Sequence, residues 1–361
     1  MALATEKTTG AAMDFLGFEK LIYHHERIEK IKAGNSQFPL NLTVSLGNYC
    51  NHGCLWCTVY AVQKEQARHA DFDAYLAFFE RAAARGLKAV CYVGTGEPTA
   101  YPKFGELIEA VAALGLEQAM FTNGYLLDRY VDRVLDSFTF LRISLDAGST
   151  GVHDAMHDVK GHFPRIIDNL GEIVRRRKSG LPTIGVQFVT HQRNIHDLFD
   201  CARIVRDIGA DYLSVKPVFN WGGGADPDRI ERNNLTYEDM TPEVQKIREA
   251  FESRDFEIHY RPFQIDSVVE DRNLLEYDRC VAGFFNLNMY EDGRLTCCSP
   301  HKVGVGSIHD DIETIERRIL QTTPKLDLTE CPASCRYHPM NHLVDTIFNS
   351  DGARQYHHNF T

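Results

Sequence analysis

The chain has 361 residues, 43% of them hydrophobic and 25% charged, with a net charge of −11 and ten cysteines. That length suits one large barrel or two domains sharing an interface, and the composition is that of an ordinary globular protein rather than a disordered or fibrous one. The acidic balance argues against nucleic acid as a partner, no apolar run reaches the roughly 20 residues that span a bilayer, and the N-terminus lacks the apolar core of a secretory signal.

A cytoplasmic protein with no membrane partner is therefore expected, and in a reducing compartment clustered cysteines point to metal binding or catalysis rather than disulfides. Residues 1–38 read as a leader in which Phe15, Phe18, Leu21, Ile22 and Ile28 can share a helical face, too short for a separate peptide-binding domain. From Pro39 onward strand and helix alternate at the roughly 30-residue spacing of βαβ units. Strands are expected at 42–46, 89–93, 118–122, 140–145, 184–189 and 212–215, with helices at 73–85, 104–114, 126–137, 164–177 and 195–208. The fold class is α/β: a partial (β/α)6 barrel over 39–222, whose chemistry belongs at the C-terminal ends of the strands.

The alternation breaks at Trp221-Gly222-Gly223-Gly224, and 223–279 reads as a linker and bridging region. Beyond it NLNMYEDGRLTCC carries Asp292-Gly293 between apolar runs, a hairpin signal. Residues 280–361 then form a small C-terminal α+β unit that holds five cysteines and has little core of its own, so it would gain from a metal cluster as a staple.

Just after the first strand stand Cys50, Cys54 and Cys57 in C-x3-C-x2-C spacing. Three thiolates can hold three irons of a cubane and leave the fourth iron open. A zinc knuckle with His52 as fourth ligand is the competing reading. Four later segments follow in order: Gly94-Thr95-Gly96-Glu97-Pro98 after strand two, Thr122-Asn123-Gly124 after strand three, Ser144-Leu145-Asp146 on strand four, and 189–194 closing strand five. With Trp56 before the third cysteine, this set resembles the radical SAM superfamily across about residues 40–220, with Thr95 standing where the usual GGEP form has a second glycine.

The resemblance implies S-adenosylmethionine chelated to the open iron, with Gly94, Thr95, Gly96 and Glu97 near its methionyl amine, Trp56 near adenine, and Ser144 and Asp146 near the ribose or carboxylate. A second set, Cys280, Cys297, Cys331 and Cys335, surrounds text similar to the auxiliary-cluster unit of SPASM and twitch domains. It implies a second [4Fe-4S] cluster, for which four-thiolate zinc is the alternative. An external reductase such as flavodoxin or ferredoxin is the implied electron source.

Of the remaining cysteines, Cys201 reads as a small buried hydrophobe, while Cys91 and Cys298 are the candidate hydrogen-atom donors, Cys298 projecting away from its ligand neighbour if the segment is extended. Arg175-Arg176-Arg177-Lys178 reads as a helix C-terminus rather than a nucleic-acid patch, and His24-His25 and His357-His358 as surface residues. The layout is similar to sugar and aminocyclitol dehydrogenases and epimerases. The expectation is thus alcohol dehydrogenation in a small-molecule substrate (a sugar, an aminocyclitol or a nucleoside-like molecule) faced by His191, Lys216, Asn220 and Arg261, with epimerisation or maturation of a ribosomally made peptide as alternatives. A non-catalytic iron-sulfur electron carrier would have no need of Gly94 to Pro98 or Ser144 to Asp146.

Overall fold

A computed structural model describes residues 19–178, 180–218, 233–260, 275, 277–298, 301–331 and 335–349. Seven strands run in chain order with helices between them: β1 Asn41–Val44, β2 Ala89–Tyr92, β3 Glu117–Thr122, β4 Phe138–Ser144, β5 Thr183–Thr190, β6 Tyr212–Pro217 and β7 Glu257–Tyr260. The principal helices are α1 His25–Lys32, α2 Phe72–Ala83, α3 Phe104–Ala113, α4 Val131–Ser137, α5 Thr150–His157, α6 Phe163–Arg176, α7 Leu198–Ile208 and α8 Tyr237–Phe251. All six expected strands are present. A seventh parallel strand, β7, extends the sheet beyond β6, so the stretch expected as linker contributes a further helix and strand.

Strands β5 and β6 are buried almost throughout, whereas burial alternates along β1 and β2. Leu42, Val44, Val90 and Tyr92 are fully buried against the helices, while their neighbours in β1 and β2, Asn41, Thr43, Ala89 and Cys91, are half-buried. That alternation is what a barrel wall requires, with period-two side chains pointing to helices on one side and a lumen on the other. Among the described residues the sheet stays open, with β7 at one edge.

Helix α2 shows how local sequence sets the outer layer. Asp71 caps it by accepting from the Ala74 amide at 3.0 Å, and Tyr75, Phe78, Phe79 and Ala82 form its buried stripe. Helix α5 was not expected, since Gly151 and three histidines blur its periodicity. In the leader, Leu21 and Ile28 are buried but Ile22 is 70% exposed, so the expected single apolar face is incomplete.

The C-terminal segment is less separate than its composition suggests. Strand β8 Asn286–Met289 pairs in parallel with β1, placing Leu42 between Val90 and Leu287. Strands β9 Arg294–Thr296 and β10 Gly304–Ser307 continue antiparallel, giving one ten-stranded sheet in the order β10-β9-β8-β1-β2-β3-β4-β5-β6-β7. The hairpin turn between β8 and β9 falls at Asp292-Gly293 as expected, with Gly293 at φ +80°. Two further helices follow: α9 Ile312–Thr322 packs on β10, and α10 His338–Asn349 meets the segment before β8, where Asn341 Oδ1 accepts from Val281 N at 2.9 Å.

Helix α2 fastens the addition. The Tyr75 hydroxyl reaches the carbonyls of Tyr290 and of Ser45, the latter at 3.3 Å, and Arg81 donates to the carbonyls of Ile308 and Asp310. Arg85 meets the buried Glu316 of α9 at 2.6 Å. If barrel and hairpin share one sheet, Tyr75→Phe should cost about 1–3 kcal/mol through the lost buried hydrogen bonds. Chemical denaturation should then show a single transition shifted to lower denaturant, with no early phase for the C-terminal segment.

Candidate functional site

The loop leaving β1 carries Cys50, Cys54 and Cys57, all partly exposed. Two are raised as thiols: Cys50 is pushed up to about 12, by burial first and then by the nearby Glu97 and Cys57, and Cys54 by burial and then by Cys50 and Cys57. Three thiols that oppose one another's ionisation ask for a cation to take their charge, so the donor set fits iron, which binds with loss of the protons.

The loop is held from two sides. Helix α5 accepts from it at its C-terminal end, Gly53 N to His157 O at 2.7 Å and Leu55 N to Met156 O at 3.0 Å, which satisfies helix carbonyls that would otherwise lack partners. From the other side comes the segment after β2. A Cβ on Gly96 would stand 2.3 Å from the Tyr49 carbonyl oxygen and 2.6 Å from that of Gly47, so only glycine allows this approach, and Glu97 N donates to Tyr49 O at 2.9 Å.

Thr95 has a local reason to replace glycine. Its hydroxyl lies 3.3 Å from Glu291 of the C-terminal hairpin, and its amide donates to the Ser45 hydroxyl at 3.2 Å. Gly94 is exposed and Gly96 partly so, which leaves backbone accessible at the strand end. Trp56 is half-buried with its ring 5.7 Å from that of His157, and Ser144 is half-buried at the C-terminal end of β4.

Two carboxylates expected at the cofactor face inward instead. Glu97 accepts from Thr99 N (3.1 Å), the Thr99 hydroxyl (2.6 Å), the Thr122 hydroxyl and Asn123 N (2.9 Å), and so ties the loop after β2 to β3. Asp146, at φ +56°, accepts from Val189 N at 2.6 Å and lies 3.4 Å from His157 Nε2. Burial raises Asp146 to about 7, against the hydrogen bond from Val189 and the charge of Lys216. Both are brackets between strands, because their oxygens are already engaged within the protein.

His191 is also spent on structure. It is 2% exposed, its amide donates to Asn194 Oδ1 at 2.7 Å, and its Nδ1 accepts from Arg193 N at 3.3 Å. Lys216 is half-buried at the end of β6, while Asn220 and Arg261 lie outside the described residues, as do His357 and His358. Cys201 is fully buried on α7, and the basic run ends α6 with Arg177 held by Asp211. Cys91 turns to the lumen, where burial pushes its thiol up to about 11 against the pull of Arg142 and Arg336. Arg336 is crowded by neighbours yet keeps contact with solvent.

In the second thiol set both Cys297 and Cys298 have Cys280 as a charge neighbour. Cys331, pushed up to about 12, has Cys335, Cys280 and Cys298 as charge neighbours after burial, and Cys335 has Cys280 and Cys298. Cys297 instead packs inward, 3% exposed, its thiol 3.7 Å from the Val303 carbonyl and its Cβ close under Gly283. The chain leaves β9 after Thr296, so the extended alternation that would turn Cys298 away ends there. Asn341 Nδ2 and Ala282 N both reach Cys280 Sγ at 3.5 Å, and His301 Nε2 lies 3.4 Å from Cys331 Sγ. N–H donors around a thiolate set suit a cluster.

A feature not anticipated from sequence is a group of buried histidines behind the first loop: His52, His153 and His157, with His162 3.1 Å from His52. The His153-x3-His157 spacing on one helix face was its only sequence signal.

Residues 44–205 match the Radical SAM superfamily. The chain is 24% identical over 302 residues to the antilisterial bacteriocin subtilosin biosynthesis protein AlbA of Bacillus subtilis, covering 78% of this chain and 61% of that protein. It is 24% identical over 264 residues to the PqqA peptide cyclase of Gluconobacter oxydans, covering 72% and 70% respectively. Streptococcus suis SuiB bound to the precursor peptide SuiA shares the fold, with a TM-score of 0.66 at 16% identity over 92% of this chain and 80% of that one.

From the thiol geometry, Cys298→Ala should lower the iron of the anaerobically reconstituted protein from about eight to about four per chain, while Cys297→Ala should keep it. Iron and sulfide analysis distinguishes the two, and the reverse pattern would restore Cys297 as the ligand.

Proposed function

For a chain that is a radical SAM enzyme with a SPASM/twitch-type C-terminal unit, we propose that the substrate is a ribosomally made peptide from which hydrogen is abstracted. One observation carries this: relatives that align over 72% to 78% of the chain are named for bacteriocin biosynthesis and peptide cyclisation. A further relative is a sporulation killing factor maturation protein of Bacillus subtilis, aligned over 77% of this chain. The sugar or aminocyclitol dehydrogenase expected from layout gives way to the peptide alternative on the same ground.

Cys50, Cys54 and Cys57 would hold the SAM-binding [4Fe-4S] cluster, and Cys280, Cys298, Cys331 and Cys335 the auxiliary one. When bound, SAM on the first cluster supplies a 5′-deoxyadenosyl radical. The protein supplies position and exclusion of water. Gly94 and Gly96 bring accessible backbone to the loop carrying the cluster cysteines, and Glu97 fixes that segment against β3. The lumen wall, with Cys91, Phe121 and Arg142 on neighbouring strands, receives the substrate segment. The sheet edges left unclosed among the described residues suit an extended chain. An external flavodoxin or ferredoxin would deliver the electron.

Cys91 supports a second reading within the same substrate class. Held as a protonated thiol facing the lumen, it has an S–H bond available to return a hydrogen atom, as epimerisation needs. Co-expression of the enzyme with short peptides encoded beside its gene, followed by mass spectrometry in deuterated water, tests both. Oxidation predicts a peptide lighter by two hydrogens with no solvent deuterium at the reacting carbon. Hydrogen return predicts one deuterium there, abolished by Cys91→Ala. Peptides left unmodified while a sugar or aminocyclitol stimulates SAM cleavage would overturn the peptide reading.

A further inference from the structure

Strand β5 carries a polar side chain that the protein itself does not use. Ile184, Val186 and Phe188 are fully buried in the hydrophobic core, so by alternation Gly185, Gln187 and Val189 face the lumen. Gln187 is 8% exposed, and among the described residues its buried Oε1 has no hydrogen-bond partner. A carboxamide in that state has lost its water without replacing it, a cost that a ligand supplying the missing partner would offset.

The surroundings place this amide above a built floor. Ser144 of β4 and Ser214 of β6 stand on either side of Gln187 in register. One row deeper, Arg142, Gly185 and Tyr212 lie level across β4, β5 and β6, and a Cβ on Gly185 would collide with the Tyr212 ring. Glycine at this position is what lets the ring lie across β5. The Tyr212 hydroxyl comes beside the Arg142 guanidinium, which in turn covers the Phe121 ring at 3.7 Å. Phe121, Arg142 and Tyr212 thus line the floor, and Gln187 stands over it toward the strand ends from which the cluster loop leaves.

A carboxamide offers an acceptor and a donor side by side, whichever way round its oxygen and nitrogen are placed. Its complement is a donor beside an acceptor, and in an extended chain the N–H and C=O of one residue point the same way. We propose that Gln187, flanked by Ser144 and Ser214, is a substrate subsite that grips one residue of an extended peptide by its backbone N–H and C=O. This rests on the peptide reading given above and adds how the segment is held: a main-chain contact fixes its register over the floor without reading the side chain at that position. An adenine edge presents a similar pair, but Gly94 to Gly96, the backbone offered to SAM, follow β2, three strands away in the sheet.

The test uses the full-length chain with its clusters reconstituted anaerobically, oxidised, and with SAM added. Saturation-transfer NMR compares N-acetylglycine N-methylamide, one residue with both backbone groups, with 2-acetoxy-N-methylacetamide, in which an ester oxygen replaces the N–H. The wild type should bind the first roughly tenfold better than the second, and Gln187→Leu should lose that preference. SAM affinity by calorimetry should be the same in both proteins. Because leucine removes an unpaired buried group, Gln187→Leu should also unfold at an equal or higher denaturant concentration. For a peptide modified in the co-expression assay, the same variant should raise KM about tenfold. Equal binding of the two compounds by the wild type, a preference retained in Gln187→Leu, weakened SAM binding, or a lowered unfolding midpoint would each overturn the subsite. Failure to modify any peptide would remove the substrate reading alone, and the two compounds would still decide the subsite.

Discussion

The parallel pairing of β8 with β1 is the constraint on which the rest depends. Without it β1 would be a sheet edge, and an unpaired parallel edge beside the cysteine loop would leave a row of backbone groups unmatched. With it, Leu42 and Val44 sit in the middle of a continuous sheet, and Met289 O accepts from Ser45 N at 2.8 Å just where the chain turns into the loop. The same pairing sets the two thiol groups in relation to each other. Cys50 follows the C-terminal end of β1, whereas β9 runs back antiparallel from the hairpin turn and brings Cys298 toward the other end of β8. The lumen face of β1 and β2, including Cys91, lies between these levels.

Around the first loop, polar groups are used to fix backbone more than to meet ligand. Glu97 takes four donors from the segments after β2 and β3, and Glu291 reaches from the hairpin to Ser45, Thr95 and Arg68. Asp146 binds β5 to the end of β4. Such buried, satisfied carboxylates stabilise one arrangement of loops, because each alternative would leave a charge without donors. Less engaged by such bonds are the backbone of Gly94 to Gly96, the half-buried thiols and the half-buried Trp56 and Ser144.

The strands were legible because short runs of Leu, Val and Ile with turn residues between them leave little freedom, and the cysteine groups were legible because close, regular spacing of thiols stands out in a sequence. Three things were not. The orientation of Cys297 and Cys298 depends on where β9 ends, which adjacent identical residues cannot reveal. Glu97 and Asp146 carry motif positions, but whether a carboxylate meets ligand or backbone is decided by strands brought together only in three dimensions. His52 and His153 stand about a hundred residues apart in sequence, and helix α5, which unites His153 with His157, has a weak apolar pattern. Strand β7 lay beyond a glycine-rich break that reads as the end of a domain, although α8 and β7 resume the alternation.

The central claim is that two separate thiol sets carry two clusters and that only the first cleaves SAM. Iron content and 5′-deoxyadenosine formation in the Cys50→Ala, Cys54→Ala, Cys57→Ala triple variant test it most directly. The account predicts about four irons per chain against about eight in the wild type, with no 5′-deoxyadenosine above background. Continued 5′-deoxyadenosine formation by the triple variant, or loss of all its iron in a chain that remains folded, would contradict it.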